Sequence, residues 1–260
     1  MTEPNVLPGL VAALATRRVE IIDLTHTLSP DFPTIVLPPE LGQCQPVRIE
    51  EVSRYDARGP TWYWNTVTFG EHAGTHFDAP IHWISGRYLS NNSVDTVPPQ
   101  DFVAPAVVID CTAEAAANDD FLLDCFHIDR FEAQHGMIAP RSWVLIRSDW
   151  SKKQGAAYVN LRDDGAHTPG VTAKAISFLV HRRDILGLGV ETIGTDGGQA
   201  QHLNPPFPAH TILHGHGRFG LQCLAGLGRL PPTGAVLIAT PLKIRQGSGS
   251  PVRVLALVER

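Results

Sequence analysis

Sulfur is scarce in this chain, with four cysteines and two methionines among 260 residues. Cys44, Cys111, Cys125 and Cys223 stand far apart and form no C-x-x-C pair. That spacing excludes a cysteine-based zinc ribbon, a thioredoxin-type redox motif and a disulfide-stapled miniature fold. Reduced thiols in a cytoplasmic protein are expected. Charged residues make up only 18% of the chain and the net charge is −5. Without a basic run there is no electrostatic footprint for nucleic acid. No apolar stretch reaches the ~20 residues of a membrane-spanning helix. The apolar segment Val6 to Ala15 is preceded by Glu3 and followed by Arg17 and Arg18, the reverse of the charge order in a secretory signal. A short amphipathic helix is expected there. Internal repeats, low-complexity tracts and linkers are also missing. The remaining composition, 43% hydrophobic, can bury a full core in one domain spanning 1–260.

Periodicity supplies the elements. Val19 to Leu28 and Thr61 to Phe69 read as strands, the latter from alternating aromatic and polar residues. Ala106 to Asp110, Ser142 to Arg147, Leu186 to Thr195, Ala235 to Ala239 and Val252 to Val258 are short apolar runs suited to a central sheet. Ile128 to His135 and Thr172 to Asp184 carry helical spacing, the second with a capping-type threonine and basic residues at its end. A further helix is expected over Phe219 to Leu227, after the glycine-rich stretch around His214 and His216. The alternation predicts an α/β fold with a mixed central sheet.

The densest chemistry lies at His72, Ala73, Gly74, Thr75, His76, Phe77, Asp78, Ala79, Pro80, Ile81 and His82, where three imidazoles and a carboxylate fall within eleven residues. Two histidines four apart can share a helix face, but Gly74, Thr75 and Pro80 oppose a helix here. A strand entering a tight turn fits better, with Gly74 bending the backbone and Thr75 and backbone groups orienting the rings. His72, His76 and Asp78 then converge on one divalent ion, since imidazole and carboxylate together suit zinc or manganese more than an all-oxygen calcium cage. His82 lies just outside this turn and is the candidate proton shuttle. An isolated histidine is ordinarily a hydrogen-bonded structural ring; three beside an aspartate reverse that expectation.

The pattern H-x-G-T-H-x-D-x-P-x-H resembles the signature of the metal-dependent cyclase-like hydrolases, a family that includes kynurenine formamidases and isatin hydrolases. Every specified position is matched. The resemblance implies a swivelling β/β/α type of domain, beyond what patterning specifies. In formamidase-like members a downstream histidine followed twelve residues later by glutamate completes the metal site; the pair at that spacing here is His210 and Gln222. A neutral amide cannot balance a second dication as glutamate would, so one ion is expected, with Gln222 as fourth ligand through its oxygen and His210 relaying protons. His202, His214 and His216 are expected to be solvated loop histidines. The stretches Gly217 to Leu224, Leu230 to Gly234 and Pro241 to Pro251 are similar to the isatin hydrolase branch. That branch implies manganese over zinc, a homodimer or higher homo-oligomer, and opening of the isatin lactam. The alternatives are an arylformamidase or a hydrolase of another cyclic amide or imide.

The aromatics fit such a guest. Trp62, Trp64 and Trp83, three of the five tryptophans, fall within 22 residues, and Phe32 lies in a proline-rich loop. All four are candidate walls for a small aromatic lactam or amide, with core packing the competing role for each tryptophan.

Overall fold

The computed structural model describes residues 6–260; Glu3 lies outside them. In chain order the main elements are α1 (Val6–Ala15), β1 (Val19–Asp23), β2 (Arg48–Asp56), β3 (Gly59–Thr68), β4 (His76–Asp78), β5 (Val103–Asp110), α2 (Cys125–His135), β6 (Trp143–Arg147), α3 (Ala173–Arg183), β7 (Gly187–Val190), α4 (Pro208–Gly215), β8 (Phe219–Gln222), β9 (Ala235–Ala239), β10 (Gly249–Pro251) and β11 (Val254–Glu259). Nine strands form one mixed sheet in the order β1-β11-β9-β5-β6-β7-β8-β4-β10. The central run β5-β6-β7-β8 is parallel, and the pairs outward from it are antiparallel. The mixed α/β expectation holds.

The parallel centre follows from the crossovers. Helices α2, α3 and α4 each connect one parallel strand to the next, and their apolar faces cover one side of the sheet. Strand pleating sorts the side chains between two cores. Val144 and Ile146 face the helices with Val107 and Ile109, whereas Trp143 and Leu145 enter the opposite core with Ala106 and Val108. Helix α3 begins where Thr172 accepts a hydrogen bond from the Ala175 amide. Helix α2 starts earlier than expected, at Cys125, because Asp124 and His127 form a reciprocal cap.

Three expectations need correction. Phe219 to Leu227 is not helical: Phe219–Gln222 is the buried strand β8, paired parallel to β7. A four-residue apolar run has too few repeats to separate strand from helix by period, and the glycines before it end α4 instead of opening a helix. The helix lies upstream, starting at Pro208. Leu186 to Thr195 contributes only Gly187–Val190 to the sheet, and the remainder is a buried loop. Helix α1 forms where expected but buries none of its residues.

Strands β2 and β3 stand apart as a two-stranded antiparallel ribbon. Strand β4 sits between β8 and β10. Its middle residue Phe77 points into the core, where its ring lies 5.0 Å from Phe219 and 6.3 Å from Trp143. Phe77→Ala should therefore cost about 3–5 kcal/mol in chemical denaturation, and weaken metal retention because the same three-residue strand carries His76 and Asp78.

Candidate metal centre

The pleat of β4 turns His76 and Asp78 to one face and Phe77 to the other. In β8, Gln222 lies opposite His76 and Gly220 opposite Asp78. Position 220 has no room for a side chain, since a Cβ there would stand 2.9 Å from Asp78 Oδ2. The turn before β4 bends at Gly74, whose φ is +61°, as expected from the sequence.

Hydrogen bonds fix the rings. His76 Nδ1 donates to the Gly74 carbonyl at 2.7 Å, which leaves Nε2 as a lone pair 3.4 Å from Asp78 Oδ1. Ser248 Oγ donates to Glu71 at 2.6 Å and accepts from His72 Nε2 at 2.9 Å. His72 Nδ1 is thereby left as a lone pair, 2.8 Å from the same Asp78 oxygen. Two imidazole lone pairs and a carboxylate oxygen thus converge with no proton assigned between them, a set that a divalent cation satisfies. Burial pushes His76 down to about 4, so its lone pair is available at neutral pH.

His82 enters on a single 3-10 turn, Pro80–His82. Its ring centroid lies 4.0 Å from that of His72, and its donor atom falls within 4.8 Å of those of His72 and Asp78. Burial pushes its pKa down to about 3. Asp78, His210 and His214 form a second set within the same limit, so Asp78 belongs to both. His210, on α4, bonds Asp196 through Nδ1 at 2.6 Å. Burial lowers its pKa, but the Asp196 hydrogen bond and charge outweigh this and raise it overall.

The structure brings together His72, His76, Asp78, His82, His210 and Gln222. Gln222 turns its amide nitrogen to Asp78 and His210, so ligation through oxygen requires the amide to rotate. Trp83 packs on His210 with ring centroids 4.7 Å apart. Phe32 packs tilted against His26 and edge-on against Tyr158, lining a cavity of about 300 Å³. Trp62 and Trp64 are not brought to the centre: they sit on the ribbon, 49% and 57% exposed. Thr75 orients neither ring; its hydroxyl donates to the Cys223 carbonyl and accepts from the His26 amide, tying the ligand turn to its neighbours.

His214 corrects the reading of solvated loop histidines. It is fully buried on α4 one turn from His210, its Nδ1 donates to the Arg218 carbonyl, and its Nε2 has no partner among the described residues. Burial pushes it down to about 4. Four-residue spacing with His210 was the available signal, hidden by the glycines that follow. Glu71, Asp196 and Ser248 were also missed, since nothing local marks an aspartate or serine as the partner of a distant ring.

The chain is similar to proteins already described. The cyclase family model, described as "Putative cyclase", matches residues 22–197. An isatin hydrolase of Roseibium aggregatum is 48% identical over 100% of both chains. A kynurenine formamidase of Polaromonas naphthalenivorans is 29% identical over 74% of this chain and 73% of its own. An isatin hydrolase solved with the product analogue thioisatinate superposes with a TM-score of 0.97 at 47% identity, covering 100% of both chains.

Two substitutions test the centre. Asp78→Asn should abolish retention of a divalent metal through dialysis, as read by elemental analysis. Ser248→Ala should leave the fold intact and weaken metal affinity about 10–100-fold in a chelator competition.

Proposed function

This chain belongs to the cyclase family, and on that basis we propose that it is a metal-dependent hydrolase that opens the lactam ring of isatin to isatinate, 2-aminophenylglyoxylate. The observation that carries the reading is the convergence of His72 Nδ1, His76 Nε2 and Asp78 Oδ1 beside a neutral, buried His82. The relatives support the substrate, since an isatin hydrolase matches along the full length whereas a formamidase matches at lower identity and coverage.

One divalent ion is our reading, held by His72, His76 and Asp78, with Gln222 as fourth ligand once its amide turns. Manganese is favoured by the likeness to isatin hydrolases, with zinc the competitor for a site of mixed nitrogen and oxygen donors. When bound, the ion supplies Lewis-acid charge that polarises the lactam carbonyl and lowers the pKa of water. His82 takes the proton from the attacking water and returns it to the ring nitrogen as the C–N bond breaks, because an anilide nitrogen leaves poorly unless protonated. His210 stands beside it, with ring centroids 5.6 Å apart. Trp83 and Phe32 supply flat apolar walls from this chain.

The chain acts as one domain over 1–260, in the cytoplasm, where its four unpaired cysteines remain reduced. Among the described residues no helix is long and apolar enough to cross a membrane. We read the protein as a homodimer. Of the 24 exposed large hydrophobic side chains among the described residues, 15 lie between Val6 and Val67, on α1, the ribbon and their flanks. A two-stranded ribbon is marginal alone, and so concentrated an apolar surface favours burial against a second copy, which would also give Trp62 and Trp64 a neighbour.

After chelation, manganese should restore rapid isatin opening by absorbance while N-formylkynurenine releases little formate; preferential deformylation would replace the substrate and keep the site. His82→Ala should lower turnover about 10²-fold with metal content unchanged. Light scattering after size exclusion should give twice the chain mass, and Trp62→Ser with Trp64→Ser should shift it toward the monomer.

A further inference from the structure

Helix α4 begins without help from its own N-cap residue. Phe207 occupies that position in a left-handed conformation and offers no side-chain hydrogen bond. The first amides are instead satisfied from the loop after β7. Asp196 Oδ1 accepts from the Ala209 amide at 2.7 Å, and Oδ2 accepts from the His210 amide at 3.0 Å. The same Oδ2 accepts from His210 Nδ1 at 2.6 Å. Asp196 is almost fully buried, so one carboxylate both starts the helix and fixes a ring that the helix carries.

An acceptor against Nδ1 leaves the other nitrogen, Nε2, as the free position of the neutral ring, and the carboxylate's charge makes that nitrogen a stronger acceptor. Nε2 faces the amide of Gln222 at 3.4 Å, within the group around Asp78. The ring centroids of His210 and His82 are 5.6 Å apart. A water oxygen hydrogen-bonded to both rings fits that separation.

We propose that Asp196 is a positioning residue for hydrolysis, holding His210 with Nε2 turned to the attacking water so that the water's two hydrogens point to His82 and His210. The proton itself moves to His82, and His210 orients the nucleophile. Asp196 touches no reacting atom and acts only through His210.

Asp196→Asn leaves one accepting oxygen where the carboxylate offers two, so it removes one cap bond together with the charge behind His210, and the double-mutant cycle below separates the two effects. The substitution should lower kcat about 10–100-fold, with KM within about twofold and metal content at the wild-type level, and with a modest fall in thermal melting from the lost cap bond. The decisive readout is a double-mutant cycle with His210→Gln. If Asp196 acts through His210, the double variant is no slower than His210→Gln alone. Multiplying effects in the double variant would overturn the proposal, as would a kcat for Asp196→Asn within twofold of wild type, or a loss of activity that tracks loss of metal.

A readout on the unmutated protein keeps the test sharp if the variant folds poorly. Long-range nitrogen–proton spectra of the zinc-loaded protein at about pH 9, where an exposed histidine is neutral, should show His210 protonated at Nδ1 and bare at Nε2. The opposite tautomer would overturn the assignment. The inference rests on the hydrolase reading, but the failures differ. Wild type inert toward isatin would sink the substrate assignment, whereas an active wild type with additive Asp196 and His210 effects would sink only the positioning role.

Discussion

A buried carboxylate that meets two imidazole lone pairs is the constraint around which the molecule is organised. Asp78 Oδ1 lies 2.8 Å from His72 Nδ1 and 3.4 Å from His76 Nε2. In each ring the other nitrogen has already spent its proton, on the Gly74 carbonyl and on Ser248 Oγ. Buried acceptors facing one another without a shared proton are unfavourable unless something positive lies between them. The arrangement is therefore built for a cation.

The sheet makes that arrangement stiff. His76 and Asp78 share a strand flanked on both sides by paired backbone, and the residue between them is anchored in a core of large rings. The remaining histidines arrive on different supports: His82 on one short turn, His210 and His214 on successive turns of α4. The stretch 72–82 thus meets α4 and β8, both far downstream in sequence, at one carboxylate. Small residues permit the approach, above all Gly220, where the pleat points straight at Asp78. A rigid strand sets His76 and Asp78, while a short turn and a helix set the histidines around them.

Much of this was legible in the residues. The eleven-residue motif pointed to side chains that the fold does bring together, and Gly74 announced the turn that it makes. The α/β alternation was readable because parallel strands buried on both faces appear as short apolar runs between amphipathic helices. Phe219–Gln222 misled because four residues contain less than two full pleats and barely one helical turn. His214 misled because burial depends on what α4 packs against, which no local pattern records. Trp62 and Trp64 were correctly placed on a strand, yet a strand's address within the molecule is a tertiary property, and theirs is a ribbon away from the sheet.

The bond between His72 and Ser248 spans 176 residues. Chains are made from the amino end, so the motif at 72–82 leaves the ribosome long before the residue that turns its first imidazole, and before β8 and β10, which flank β4. A nascent chain therefore exposes the right side chains in the wrong geometry. Metal capture with the folded site's geometry waits until the sheet closes around β4, which ties the choice of ion to the finished fold and spares the growing chain from committing to whichever metal it meets first.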